Sequence, residues 1–254
     1  MTTGHYQRAL RRADLLTGPP PTGYVSRWLD NAARRSVEPR VVVDVAGTGL
    51  VYSLDLLQRY EEITDRHGKS YFLIPAGAGG AEARMAVLLA YVVNAGTDYA
   101  GGDFAETPYS ATEVMRIMDR QRANSWSYHR DVRFIHRNGG RLVATPHGIL
   151  MGLGGNWVQR LFSQRGGTTW GDIFMVNSGR IADPARRLRD VIESRATLDL
   201  DRLLHHEEVH SAQWATLGYA GMLRTYGWEL LRELIFRKTN RLELAAGLRD
   251  GGYC

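Results

Sequence analysis

The sequence predicts an α+β fold, with a small mixed or antiparallel sheet between an N-terminal helical half and a run of C-terminal helices. Three observations predict it. Apolar residues recur at helical spacing on both sides of the centre. Short β-branched runs bounded by glycine or proline cluster in the middle. From Asp183 onward the pattern is helical throughout. At 254 residues, 44% hydrophobic and 23% charged, the chain is long enough to bury a core without staples.

The elements follow in order. Residues 1–16 read as a short basic helix, and Gly18-Pro19-Pro20-Pro21-Thr22-Gly23 as a linker or extended arm. Trp28–Arg35 reads as a helical turn, and β-branched Val41–Val45, between Pro39 and Gly47, as a strand. Leu54, Leu57, Tyr60 and Ile63 have helical spacing, and Tyr71–Ile74 suits a strand. Pro75–Gly80 has no Gly-Lys-Ser/Thr ending, so it reads as a turn feeding a helix over Ala81–Ala95, not a phosphate loop. Ser110, with Glu113 three residues on, is a capping box for a helix over Ala111–Ala123. Val132–His136, Asn138-Gly139-Gly140 and Leu142–Thr145 read as a β-hairpin. Gly148–Leu153 and Asp172–Val176 are further strands, followed by helices over Pro184–Ser194, Leu200–Tyr219, Gly221–Arg237 and Leu242–Leu248. The organisation expected is an N-terminal arm with a Pro-rich linker over 1–40, a mainly helical region over 41–125, and a metal-binding region over 126–254 compact with it.

The charge is +5, from 32 basic and 27 acidic residues, and the only lysines are Lys69 and Lys238. The arginines are scattered among acidic residues, without the concentrated stripe or motif that nucleic-acid binding needs, so no nucleic-acid partner is expected. The longest apolar run, Met85–Val93, is about half a membrane span. Neither a signal peptide nor a span is read, so the expected location is cytoplasmic, with leaderless export the alternative. Oligomeric state is not legible.

One segment carries chemistry. His206-Glu207-Glu208-Val209-His210 places two histidines four residues apart on a helical run. On a helix both imidazoles project from one face and reach one cation, and Glu207 lies where it can polarise a water on that cation. His205 offers a second register, but only His206 has Glu at +1 and His at +4. The single cysteine, Cys254, excludes Cys-rich zinc sites, so a metal here takes His, Asp or Glu ligands; Zn2+ suits them. His129, His136 and His147 are a weaker second cluster. With no G-x-S-x-G elbow, a serine hydrolase is disfavoured.

The segment resembles the HExxH zinc metallopeptidases, over about residues 198–250. The resemblance implies a zincin-like fold, a third protein ligand to zinc, a peptide or protein substrate, and Glu207 as general base and then proton donor. Ser211-Ala212-Gln213-Trp214 lacks the metzincin continuation, which leaves the gluzincin branch, with a Glu from a later helix: Glu229, Glu233 or Glu243. Glu243, in Asn240-Arg241-Leu242-Glu243-Leu244-Ala245-Ala246, is similar to the Glu-x-x-Ala ligand segment of bacterial gluzincin-like families, although Gly247 stands where Asp often follows. The ligand set implied is His206, His210 and Glu243, with Glu229 the alternative. Gln213 is similar to the Gln of bacterial HExxHxxQ sequences. Tyr219, Tyr226, Tyr253 and His205 are candidate transition-state stabilisers, and a sheet edge near Asp172–Val176 would align substrate. The function implied is peptide-bond hydrolysis by a metal-activated water; the alternative is a non-catalytic zinc-stabilised binding module or secreted effector.

Overall fold

The computed structural model describes residues 2–97, 103–105, 107–154, 167–177, 181–193 and 199–251. Helices α1 (Thr3–Arg12), α2 (Gly23–Arg34) and α3 (Pro39–Gly47) lead through a 3-10 helix, Leu50–Arg59, into β1 (Glu61–Thr64) and β2 (Ser70–Ile74). Then come α4 (Gly80–Val93), α5 (Ala111–Ala123), a π-turn at Ser127–Asp131 and α6 (Val132–Arg137). Strands β3 (Arg141–Ala144), β4 (Leu150–Leu153), β5 (Gly167–Trp170) and β6 (Ile173–Val176) precede α7 (Pro184–Glu193), α8 (Leu200–Phe236) and α9 (Arg241–Ala246).

The strands form one mixed sheet in the order β1-β2-β3-β4-β6-β5, with β4 and β6 parallel and the other neighbours antiparallel. Successive side chains of a strand point to opposite faces, and here both faces are buried. Phe72, Ile74, Leu142, Ala144, Leu150 and Ile173 join the core beneath the N-terminal helices. Their alternates Tyr71, Val143, Met151 and Phe174 pack with Leu188 and Ile192 of α7 and Leu204 of α8. This double burial explains why the strands read as short apolar runs without polar alternation.

Residues 1–40 are not an arm. Tyr6, Leu10, Trp28 and Leu29 are buried in the same core as Ile173, and Pro19, Pro20 and Pro21 lie in the α1–α2 connection. Nor is Val41–Val45 a strand. Pro39 starts a helix, where its fixed φ suits the first turn, and Val42, Val45 and Ala46 at i, i+3 and i+4 are buried while Arg40 and Asp44 face out. Burial of one helical face overrides β-branched propensity. Leu54–Ile63 is split, its first part in the 3-10 helix and its last residues in β1.

Val132–His136 is likewise helical, with Val132, Ile135 and His136 buried and Phe134 exposed. Asn138-Gly139-Gly140 is its C-terminal cap: Gly140 N–H donates to Ile135 O at 2.9 Å and Gly139 N–H to His136 O at 3.1 Å. The hairpin lies one element later, between β3 and β4. Gly80, the first residue of α4, is required by close approach of the chain: a Cβ there would stand 2.2 Å from Tyr128 O. Ser110 caps α5, accepting from Glu113 N–H at 3.1 Å, but the Glu113 carboxylate accepts from Arg116, so the reciprocal half of the expected capping box is not made.

Candidate metal centre

The site sits on the first half of α8. Asp199 caps this helix, accepting from the N–H groups of Asp201 and Arg202 at 3.1 and 3.2 Å. Its sides have different partners. His206, Glu207 and His210 face a cleft of ≈ 300 Å³, whereas Glu208 and Ser211 face α5 and the start of β6.

The second sequence stretch reaches the site on α9. The Asn240 side chain caps this helix by accepting from Leu242 N–H at 2.8 Å, which places Glu243 in its first turn. Glu243 Oε2 lies 3.3 Å from His206 Nε2 and 3.2 Å from His210 Nε2, and the two Nε2 atoms are 3.0 Å apart. Zinc bonds N and O donors at 2.0–2.2 Å, so three ligands of a tetrahedron stand roughly 3.3 Å from one another. The three atoms fit that spacing, and among the described residues no other His/Cys/Asp/Glu group that could hold a metal is found.

The tautomers fit as well. His206 Nδ1 lies 3.1 Å from Ala246 O and 2.9 Å from Gly247 O, so it carries the proton and donates it there. His210 Nδ1 lies 2.9 Å from Gln213 Oε1 and is a donor by the same reasoning, while Gln213 Nε2 donates to Leu242 O at 2.9 Å. Both Nε2 lone pairs are thereby aimed at the common point, as a metal requires. Gly251 closes the other face of His206, where a Cβ would stand 2.6 Å from Cε1.

Glu207 points across the cleft to β5, where Thr169 Oγ1 donates to its Oε2 at 2.6 Å. Burial pushes its carboxyl above the ordinary range, opposed by the His210 and His206 imidazoles and the Thr169 hydroxyl. Glu243 behaves oppositely: burial raises it, but the His206 and His210 hydrogen bonds prevail and hold it at about 2.

The other carboxylate offered by the sequence serves elsewhere. Glu229 Oε2 accepts from Arg241 N–H at 3.0 Å, and both its oxygens accept from Arg232 Nη1 at 2.6 Å, so it anchors the start of α9. Of the aromatic candidates, Tyr226 lines the cleft. Tyr219 packs edge-on against Trp126, ring centroids 5.0 Å apart, and His205 turns to Asp250 at 3.4 Å. Tyr253 lies outside the described residues. His129 is exposed, and no metal group forms from it with His136 and His147.

Two parts of the site escape the sequence reading. The strand beside the cleft is β5, at the end of the sheet and paired with Ile173–Val176 (β6), near which the sequence places a sheet edge. Thr168-Thr169-Trp170 is a β-favouring run after glycine and was the available signal. Behind α8, Asp172 is fully buried: Oδ1 accepts from Asn124 Nδ2 at 2.7 Å and from Ser211 Oγ, Oδ2 accepts from Tyr128 OH at 3.0 Å, and Arg120 pairs with it at 3.3 Å. This cluster locks the residue after His210 to α5 and the sheet, and nothing local in the sequence marks it.

Comparison of the chain with protein-family models, curated proteins and solved structures finds no match.

Proposed function

We propose that this chain is a zinc-dependent peptidase. One observation carries the reading: His206 Nε2, His210 Nε2 and Glu243 Oε2 meet within 3.3 Å, from segments 33 residues or more apart, with Glu207 buried beside them. Zinc held there would supply Lewis acidity and acidify a water. Glu207 takes the proton on the carboxylate oxygen that Thr169 does not engage, Oε1, and returns it to the leaving amine. Thr169 fixes the orientation of that carboxylate, and burial raises its basicity. Trp214 Nε1 donates to Thr169 O at 2.9 Å, which holds β5 against α8. An extended peptide added along the outer edge of β5 would run past both groups, and Tyr226 is the cleft tyrosine available to a developing oxyanion.

No single described helix is long and apolar enough to cross a membrane. A peptide or protein substrate, met in the cytoplasm, completes the reading.

The test combines metal analysis with Glu207→Gln. Zinc at one per chain, peptide hydrolysis by the wild type, and hydrolysis lost but zinc retained in the variant are the expected results. Hydrolysis that survives Glu207→Gln would refute the assignment. Retained zinc with no hydrolysis by the wild type would favour a zinc-stabilised binding module.

A further inference from the structure

Helix α8 is broken at Gly218, whose φ of 68° and ψ of 169° are not helical. Beyond the break its second half turns an apolar face outward. Tyr219, Leu223, Tyr226, Leu230 and Leu234 follow one another at intervals of three or four residues, which is one helical face, and they are 40%, 43%, 37%, 40% and 81% exposed. So continuous an apolar stripe marks a binding surface more often than a bare one. Its position names the occupant: Leu223, Tyr226 and Leu230 are themselves a wall of the cleft that holds His206, His210 and Glu243, with Trp170 and Trp214 also lining it. Whatever covers this face enters the cleft.

The charges of the cleft narrow the occupant further. Among the described residues that line it there is no Lys or Arg to receive a substrate's terminal carboxylate. Its two carboxylates already have partners, Glu207 in Thr169 and Glu243 in the two histidines, so a terminal ammonium has no dedicated counter-ion. The nearby guanidinium of Arg232 is bound to Glu229, and Arg130 stacks over Trp126 and Tyr219 at 5.3 and 5.5 Å.

We infer that the cleft is built for the interior of an apolar peptide segment: large hydrophobic side chains bind against Leu223, Tyr226 and Leu230, and the bond presented to Glu207 lies away from either chain end. The inference rests on the peptidase reading for the word substrate, but the groove can be tested by binding alone.

The probe is a fluorescent decapeptide, blocked at both ends, with Leu-Phe at its centre, titrated by anisotropy into the zinc-loaded Glu207→Gln protein. Companion peptides carry Asp-Glu at the centre, or Leu-Phe at an unblocked C-terminus. The blocked apolar peptide should bind at least about tenfold more tightly than either. Leu223→Glu and Leu230→Glu, at exposed positions that leave the circular dichroism and zinc content unchanged, should each weaken it about tenfold. Equal affinity for the charged peptide, tighter binding of the free C-terminus, or indifference to both substitutions would overturn the inference. So would sedimentation showing a dimer that Leu223→Glu dissociates, since a second copy would then own this face. Wild-type protein that cleaves peptides with no apolar preference overturns the groove and leaves the peptidase standing. Apolar binding without cleavage does the reverse.

Discussion

Gln213 Oε1 stands 2.9 Å from His210 Nδ1, while the same side chain donates from Nε2 to Leu242 O, one residue before Glu243. One amide therefore sets the tautomer of His210 and the distance to the helix that bears Glu243.

Replacing it should act on the metal before it acts on the fold. Gln213→Leu keeps the volume but removes both hydrogen bonds, and partners of this kind typically change metal affinity 10–100-fold. The expected outcome is a zinc affinity lower by about that factor in a chelator competition. An unchanged affinity would mean that His210 is oriented by packing alone.

Asp172→Ala should be among the costliest substitutions in the chain. It leaves Arg120, 4% exposed, with Glu208 as its remaining carboxylate partner and deprives Asn124, Tyr128 and Ser211 of a shared acceptor. Removing one partner of a buried ion pair costs about 3–5 kcal/mol. Denaturant unfolding measures it, and a loss below about 1 kcal/mol would contradict the role given to this cluster.

Gly218→Ala tests the break in α8. Nothing lies within 4 Å of the added methyl, so sterics against neighbours are not the issue. The backbone conformation is, because this region is essentially reserved for glycine and costs another residue about 1–3 kcal/mol. Lower stability with zinc content preserved is expected, since His206 and His210 precede the break. An alanine that stabilises would show that α8 runs straight through.

Stability should fall on mild acidification. His147 is buried and held well below its ordinary value, by burial first and then by Lys69, His205 and Arg35, against a smaller opposing effect of Asp201. Burial also lowers His136. A depressed value in the folded protein means that the unfolded chain binds the proton better. The stabilising effect is therefore complete above about pH 6.5 and is lost as pH drops below it, by up to about 1.4 kcal/mol per pH unit for each group. Urea unfolding at pH 7, 6 and 5 should show the decline, and His147→Gln should flatten part of it. A profile that His147→Gln leaves unaltered would sink this account.

Local signals were legible where one short-range interaction decides the outcome. Ser110 caps α5 because its hydroxyl and the backbone N–H three residues on meet at any helix start. The spacing of His206 and His210 places them together for the same kind of reason. Val41–Val45 and Val132–His136 were misread because a short apolar run suits a strand or one buried helical face, and only the surface it meets makes the choice. Thr169 was missed because its role exists only across the cleft from Glu207, 38 residues away in sequence.

What the sequence by itself determined is the kind of donors available: two imidazoles at helical spacing and a carboxylate from a later segment, with Cys254 the single thiol. It left the third ligand open between Glu243 and Glu229. Tertiary structure brings Glu243 to 3.2 Å from His210, while Glu229 ties down the helix that carries Glu243. The helical repeat reaches four residues, whereas closing a coordination triangle over 33 residues depends on how α8 and α9 pack, which no local pattern encodes.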